Sequence, residues 1–379
     1  MKNEFTEILE NIETALRKSL PEKTNPEWQA GTFRNLSDCV TDGHIQNLIK
    51  PCRNLMDLGG KRWRPLLLVL CSELCREAGK NSPLSLEQTY SITPLVEFVH
   101  TASLIHDDIE DSAETRRGKP AAHISFGLDT ALNAGSWLYF VAPETIDALK
   151  TTAEFKNRLY ALYTQELRRL HLGQAMDIYW HRNPNLFPSV NEYTQMVHLK
   201  TGTLASLAVQ AGFLAGGATK EEALSMGNIA AALGEGFQIL DDVQNLTTGN
   251  PGKKRGDDIV EGKKSLPVLL HIQENPSDKK IIAGLFEKAS KEGIDSPAVE
   301  QCIAVLEKND AIQRASKKGT ETIEKNLGIL TDVYGNANSS KSARLIKKLF
   351  EEMILKFKIT VKKENKFETN LRCNRNSGL

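Results

Sequence analysis

Apolar residues recur along this chain at spacings of three and four. In MKNEFTEILENIETALRK, Phe5, Ile8, Leu9, Ile12 and Leu16 alternate with charged residues, the period of an amphipathic helix rather than of a secretory leader. The same period runs through residues 91–111, 153–178 and 221–245, and the last of these is rich in Ala and Leu. Alternating β-branched runs between tight turns, the signature of strands, are nearly absent. Pro and Gly punctuate the helical stretches, as at Pro51, Gly59-Gly60, Pro94, Gly118, Gly216-Gly217 and Asn250-Pro251-Gly252. No repeat of fixed period is present. No apolar run approaches the ~18 residues that a membrane span needs. From about residue 360 the chain turns polar and loses its period, which predicts a frayed tail. The pattern predicts an all-α protein.

Composition changes this picture little. The chain of 379 residues is 40% hydrophobic and 25% charged, ordinary for a globular protein with a large core. Lys+Arg and Asp+Glu are 48 each, so the formal net charge is +0. No global field recruits nucleic acid or an anionic membrane, and any charge that matters acts locally. The six cysteines form no CxxC pair. Cys71 and Cys75, four apart on an apolar helix, read as buried thiols rather than zinc ligands. Scattered thiols fit a reducing cytosol, so a soluble, cytoplasmic protein is expected. The Lys- and Arg-rich C-terminal end reads as a solvated face followed by a disordered tail, ahead of a membrane-surface role.

The candidate chemistry begins at LIHDDIEDSAETRR. Asp107 and Asp111 lie one helical turn apart, with Asp108 beside them. Like charges at that spacing destabilise a helix unless a cation bridges them, and hard oxygen ligands suit Mg²⁺. The mostly apolar run before them, 96–105, places the acids at the end of a buried helix, against the plainer reading of a solvated acidic helix end. GEGFQILDDVQN repeats the arrangement with Asp241 and Asp242, and Asn245 follows one turn on. Two acid pairs after two apolar helices point to facing helices around a shared metal cluster. Basic residues alternate with them. Lys61, Arg62 and Arg64 follow Gly59-Gly60, and Arg116-Arg117 follow the first acids. Lys200 precedes Thr201-Gly202 in what reads as another turn. Lys253, Lys254, Arg255 and Lys263 follow the second acids. Each alone is surface decoration. Together, carboxylates and cations bridged by Mg²⁺ are what a diphosphate substrate requires.

GGKRWRP, LIHDDIEDSAETRRG, KTGTL, FQILDDVQN and GKKRGDDIVEGKKSLP occur in the order seen in the trans-isoprenyl diphosphate synthases, or polyprenyl synthetases, and the chain resembles that family over roughly residues 50 to 275. The resemblance implies the isoprenoid synthase fold, a single-domain all-α bundle of about ten or more helices around a deep central cavity, usually a homodimer. Here the catalytic domain would span 1–355, with 356–379 as a basic tail. It implies head-to-tail condensation: an allylic diphosphate (geranyl or farnesyl) ionises, isopentenyl diphosphate attacks, and a proton leaves, with released pyrophosphate as its acceptor.

Residue by residue, the resemblance implies that Asp107, Asp108 and Asp111 bind Mg²⁺ on the allylic diphosphate. Asp241 binds a further ion, with support from Asp242 and Asn245, for three ions in all once diphosphate is bound. Arg116, Lys200, Lys253 and Lys263 then contact the allylic diphosphate, and Lys61, Arg64, His100 and Arg117 contact isopentenyl diphosphate. Thr201 and Gln238 lie near the reacting carbons. Without the family, His100 reads as a core histidine; His106 and His123 are read as structural, and Asp257, Asp258 and Glu261 as turn residues. Asn245 departs from the usual last Asp of the second motif and resembles eukaryotic-type geranylgeranyl diphosphate synthases, as do QAMDIYW and the spacing within DDIED. Ser136 stands where many relatives carry an acid.

Ala102 and Ser103, five and four residues before Asp107, are small where large aromatics in this family stop chain growth. The resemblance therefore implies a product longer than fifteen carbons, with twenty expected. Trp137, Tyr139 and Phe140 are either a deeper floor or ordinary core aromatics. A longer-chain quinone-side-chain synthase, a terpene cyclase and a non-catalytic partner subunit are the alternatives. The intact GGKRWRP and Arg117 argue against a cyclase, and the two acid clusters argue against a silent subunit.

Overall fold

The computed structural model describes residues 4–249 and 254–355. Lys253 and the expected tail, 356–379, lie outside the described residues. Helices dominate, as the all-α reading expects, and no described helix is long and apolar enough to cross a membrane. Two compact units are present. The first runs to Leu167 and includes Leu204–Asn228 and Tyr334–Leu345; the second holds Arg168–Thr203, Ile229–Val333 and the chain from Ile346.

In the first unit the elements that carry the candidate chemistry are α1 (Thr6–Ser19), α2 (Trp63–Glu77), α3 (Pro94–Glu110) and α4 (Leu128–Val141). Pro94 stands in the first turn of α3, where its fixed φ suits a helix start and no amide hydrogen is missed. The predicted helix 91–111 is therefore shorter at its front, and a separate short helix, Leu86–Ser91, precedes it. Leu95, Val96, Phe98, Val99, Ala102 and Ile105 of α3 are buried, and the acids emerge only in its last turn. At Gly135 of α4 a Cβ would stand 2.9 Å from His106 Nε2 and 3.2 Å from Ile105 Cγ2, so the bare backbone lets α4 pack tightly on the end of α3.

A hairpin that the sequence pattern does not predict follows α3. Its strands, β1 (Thr115–Arg116) and β2 (Lys119–Pro120), are two residues each. The two turn residues between them, Arg117 and Gly118, have φ of 53° and 74°. Left-handed backbone at both positions is what a two-residue hairpin turn needs to match strand twist.

Helix α5 (Ala153–His181) contributes its last residues to the second unit. There, α6 (Val190–Val197) opens with a capping box in which Glu192 N donates to Ser189 Oγ at 3.2 Å and Ser189 N donates to Glu192 Oε2 at 2.7 Å. The expected turn at Lys200-Thr201-Gly202 does not form. The chain continues through one turn of π-helix, His198–Gly202, into α7 (Thr203–Ala215). Gly202 is there for close approach: a Cβ on it would meet Ala231 O at 2.7 Å. Gly173 of α5 serves the same purpose against the Lys200 backbone. Helix α8 (Lys220–Leu246) carries the second acid pair near its end and α9 (Asp257–Glu261) follows it. The core of this unit gathers Trp180, Tyr193, Met196, Val243, Leu266 and Phe286.

Candidate active site

The first unit separates its charges into two groupings. One surrounds the end of α3. Asp108 is 1% exposed, and its Oδ1 accepts from Arg116 Nε at 2.7 Å and also from Arg116 Nη2. Its Oδ2 is buried with no hydrogen-bond partner. Burial raises the Asp108 carboxyl above its ordinary range despite the pull of Arg116. Asp107 and Asp111 are half-buried beside it. An anionic oxygen without a donor fits a cation, and the oxygen donor set suits Mg²⁺. Among the described residues no three His, Cys, Asp or Glu side chains form a ready-made metal cage. Mg²⁺ takes one or two carboxylates and leaves its remaining positions to water and phosphate.

The other grouping is cationic and centres on Glu97, a buried acid within an apolar run. Arg62 Nη1 donates to Glu97 Oε1 at 2.6 Å, Arg62 Nε to Glu13 Oε1 at 2.7 Å and Arg62 Nη2 to the Met56 carbonyl at 2.7 Å. Arg62 is thus fully engaged in structure, and its left-handed backbone (φ 45°) launches α2. Its neighbour Arg64 stacks over Trp63, with 4.4 Å from guanidinium carbon to ring centroid. Burial lowers its pKa to about 10, and its Nε is buried without a partner. Burial, then the field of Arg64, Arg117, Arg116 and Arg62, holds His100 well below its ordinary pKa, so the imidazole is neutral at neutral pH. Arg117 Nη1 donates to the Gly59 carbonyl, and a Cβ at Gly60 would come 3.2 Å from Arg117 Nη2. The glycine turn therefore makes room for Arg117. The structure brings together Arg64, His100 and Arg117 as a patch of cations around a neutral histidine. Lys61 is exposed on the same turn. Adjacent at one hairpin, Arg116 engages the acids and Arg117 the glycine turn.

The product-length positions also lie on α3. Ala102 is fully buried and Ser103 half-buried, its hydroxyl donating to the His100 carbonyl at 2.9 Å. Tyr139 packs against His106, with ring centroids 5.5 Å apart, and Ser136 Oγ lies 3.4 Å from His106 Nε2. Trp137 stacks on Phe33. Phe140 is 80% exposed, so it is neither a core aromatic nor a floor within this chain.

In the second unit Lys200 Nζ donates to Asp177 Oδ2 at 2.7 Å. Burial pushes Asp177 up, but Lys200 and Lys263 outweigh it and hold the carboxyl below its usual range. Lys263 pairs with Glu261. Lys264, next in sequence, is buried over the rings of Phe187 and Phe286 at 4.9 and 4.7 Å, and donates to the Gly262 carbonyl at 2.9 Å. Burial lowers its pKa to about 8. Thr201 Oγ1 donates to Gln238 Oε1 at 2.9 Å, and Gln238 Nε2 donates to Asp242 Oδ1 at 3.0 Å. Asp241 is exposed, whereas Asp242 is 6% exposed. Asn245 is fully buried; its Oδ1 accepts from Asp258 N at 3.2 Å and its carbonyl from Gly256 N at 2.9 Å. It caps the start of α9 and so fixes the segment that leads to Lys263.

Glu97, Asp177, Tyr193 and Lys264 are the polar residues that sequence reasoning passed over. Glu97 and Asp177 each stood as a lone acid in an apolar stretch, which is itself a signal because a buried charge needs a partner.

Residues 45–305 match the polyprenyl synthetase family. The chain is 37% identical over 243 residues to a geranylgeranyl pyrophosphate synthase of Neocamarosporium betae, an alignment spanning 64% of this chain and 66% of that one. It is 30% identical over 312 residues to a geranylgeranyl pyrophosphate synthase of Macrophomina phaseolina, spanning 81% of this chain and 90% of that one. The crystal structure of geranylgeranyl pyrophosphate synthetase from Pyrococcus horikoshii superposes with a TM-score of 0.75 at 27% identity, covering 92% of this chain and 96% of that chain. This chain belongs to the polyprenyl synthetase family.

Proposed function

We propose that this prenyltransferase condenses isopentenyl diphosphate with an allylic diphosphate, geranyl or farnesyl, to give a trans-prenyl diphosphate of twenty carbons. The observation that carries this reading is the split of charge in the first unit. Acids joined to Arg116 suit one diphosphate held through metal, and Arg64, His100 and Arg117 suit another held directly. A cyclase has no use for the second grouping.

Asp107, Asp108 and Asp111 would hold Mg²⁺, with Asp241 holding a further ion, three in all with diphosphate bound. The metal supplies charge neutralisation for the departing diphosphate. Around it this chain's own cations act. Arg116, Lys200, Lys253 and Lys263 place positive charge where the leaving oxygens gain negative charge. Lys200 is pre-aimed by Asp177. Lys61, Arg64, His100 and Arg117 orient isopentenyl diphosphate. The oxygens of Thr201 and Gln238 face the carbon that becomes electron-poor. The proton leaves to the released pyrophosphate. Small Ala102 and Ser103 let the prenyl chain pass. The working form is a homodimer, for which Leu128, Leu132 and Phe140, exposed at four- and eight-residue spacing on α4, form an apolar stripe. Its free thiols suit the cytosol.

The test is product chromatography after incubation with isopentenyl diphosphate and either geranyl or farnesyl diphosphate. A twenty-carbon diphosphate is expected. A main product of twenty-five carbons or more sinks the product assignment, and hydrocarbon from the allylic diphosphate alone points to a cyclase.

A further inference from the structure

The second acid pair is joined to the core by a tyrosine that the proposed chemistry does not use. Tyr193 of α6 is 1% exposed, and its hydroxyl donates to Asp242 Oδ2 at 2.6 Å. Asp242 Oδ1 accepts from Gln238 Nε2 at 3.0 Å, and Gln238 Oε1 accepts from Thr201 Oγ1 at 2.9 Å. These three bonds form one line from a buried phenol to two half-buried residues. Both ends of the line lie on the same helical run, since Tyr193 and Thr201 are eight residues apart. Gln238 and Asp242 lie one turn apart on one face of α8.

We propose that Tyr193 is a positioning residue that sets which end of the Gln238 amide is presented beside Thr201. An amide has one accepting end and one donating end. The carboxylate of Asp242 accepts only, so it draws the nitrogen of Gln238 and leaves Oε1 toward Thr201. That choice holds while the carboxylate itself is fixed; the Leu266 backbone N–H also donates to it, and the Tyr193 hydroxyl is the side-chain donor that occupies its other oxygen. The outcome is two oxygen dipoles, from Gln238 and Thr201, at the place where positive charge develops. Preorganised dipoles act on the transition state and not on the ground state, so the role belongs in kcat rather than in substrate affinity. A tyrosine that merely satisfies its hydroxyl in the core would show in stability alone. The role rests on the prenyltransfer reading above.

Tyr193→Phe keeps the ring and removes only the donor. Steady-state kinetics with both diphosphates, alongside thermal melts, compare wild type, Tyr193→Phe, Gln238→Leu and the double variant. The expected result is a loss of about tenfold in kcat for Tyr193→Phe with both KM values within about twofold, and no further loss when it is added to Gln238→Leu. Asp242→Asn is the second arm if Tyr193→Phe does not fold. Its amide nitrogen turns the Gln238 amide around, and a loss in kcat larger than about tenfold is expected. Unchanged kcat in either variant, or the same fold-loss from Tyr193→Phe with and without Gln238, overturns the role. An active wild type with unchanged Tyr193→Phe sinks this role alone. A wild type without prenyl transfer sinks the activity and this role together.

Discussion

Asp107-Asp108 and Asp241-Asp242 are the same dipeptide near the end of a long apolar helix, and in both the second aspartate is the buried one. The means of holding it differ. Asp108 is gripped by a charge, Arg116, which stands on a two-residue hairpin strand and is itself half-buried. Asp242 is gripped by neutral donors alone, the Tyr193 hydroxyl, the Gln238 amide and the Leu266 backbone N–H. A charged partner on a surface hairpin could also reach a substrate, so under the proposed function the first site would couple metal, acid and cation. Neutral donors in the core give direction without adding charge, which would suit the exposed Asp241 as the proposed cation ligand.

The largest effect should come from the outer aspartates. Asp107→Ala and Asp241→Ala should each lower turnover by ~10³-fold or more with an unchanged circular dichroism spectrum, and chelation of wild type should do the same until Mg²⁺ is restored. Near-normal turnover in either variant removes that half from the comparison. Next, Arg116→Ala leaves Asp108 buried without its counter-charge. We expect a loss of ~2–3 kcal/mol in urea unfolding, reduced from the fully buried case because Arg116 keeps some solvent, against ~1 kcal/mol for Tyr193→Phe. The reverse order would mean that the neutral donors, not the charge, carry the greater burden. Asn245→Ala, which removes the acceptor for Asp258 N, should cost about 1–2 kcal/mol in the same unfolding measurement, and Asn245→Asp, which keeps the acceptor but puts a carboxylate in a fully buried place one turn from Asp241, should cost at least as much.

The smallest effect is a pH slope. The folded-state pKa of His100 is depressed, so the unfolded chain takes up this proton first as pH falls below about 6.5. Stability from this group is therefore present above that pH and lost below it, at no more than ~1.4 kcal/mol per pH unit. His100→Gln should flatten the acid limb of a melting-temperature profile. An identical limb would show that burial and the surrounding arginines do not hold His100 neutral in the folded chain.

The helices were legible because their apolar period is long. Helices were expected at 153–178 and 221–245, and the observed ones are Ala153–His181 and Lys220–Leu246. The hairpin was not legible, since two-residue strands carry no alternation, and Arg117-Gly118 reads as easily as a loop. Gly202 misled in the opposite direction: a glycine that looks like a stop is a close packing point inside a continuous helix. The first acid cluster and its cations were visible as pattern. What the pattern hid was pairing across distance. Arg62 and Arg64 look equivalent in KRWR, yet one is locked between Glu13 and Glu97 and the other is not. Lys200 shows no sign in sequence of its dependence on Asp177, 23 residues earlier.

The π turn at 198–202 has a consequence for chain length. A π turn holds one residue more than the α-helix it interrupts. Deleting one residue there would close the wide turn into a regular one and leave the direction of α7 nearly unchanged, because the wide turn absorbs its extra residue locally. What would move are the side chains of the turn itself, Thr201 among them. The count of residues in this turn is therefore as much a part of the enzyme as its aspartates.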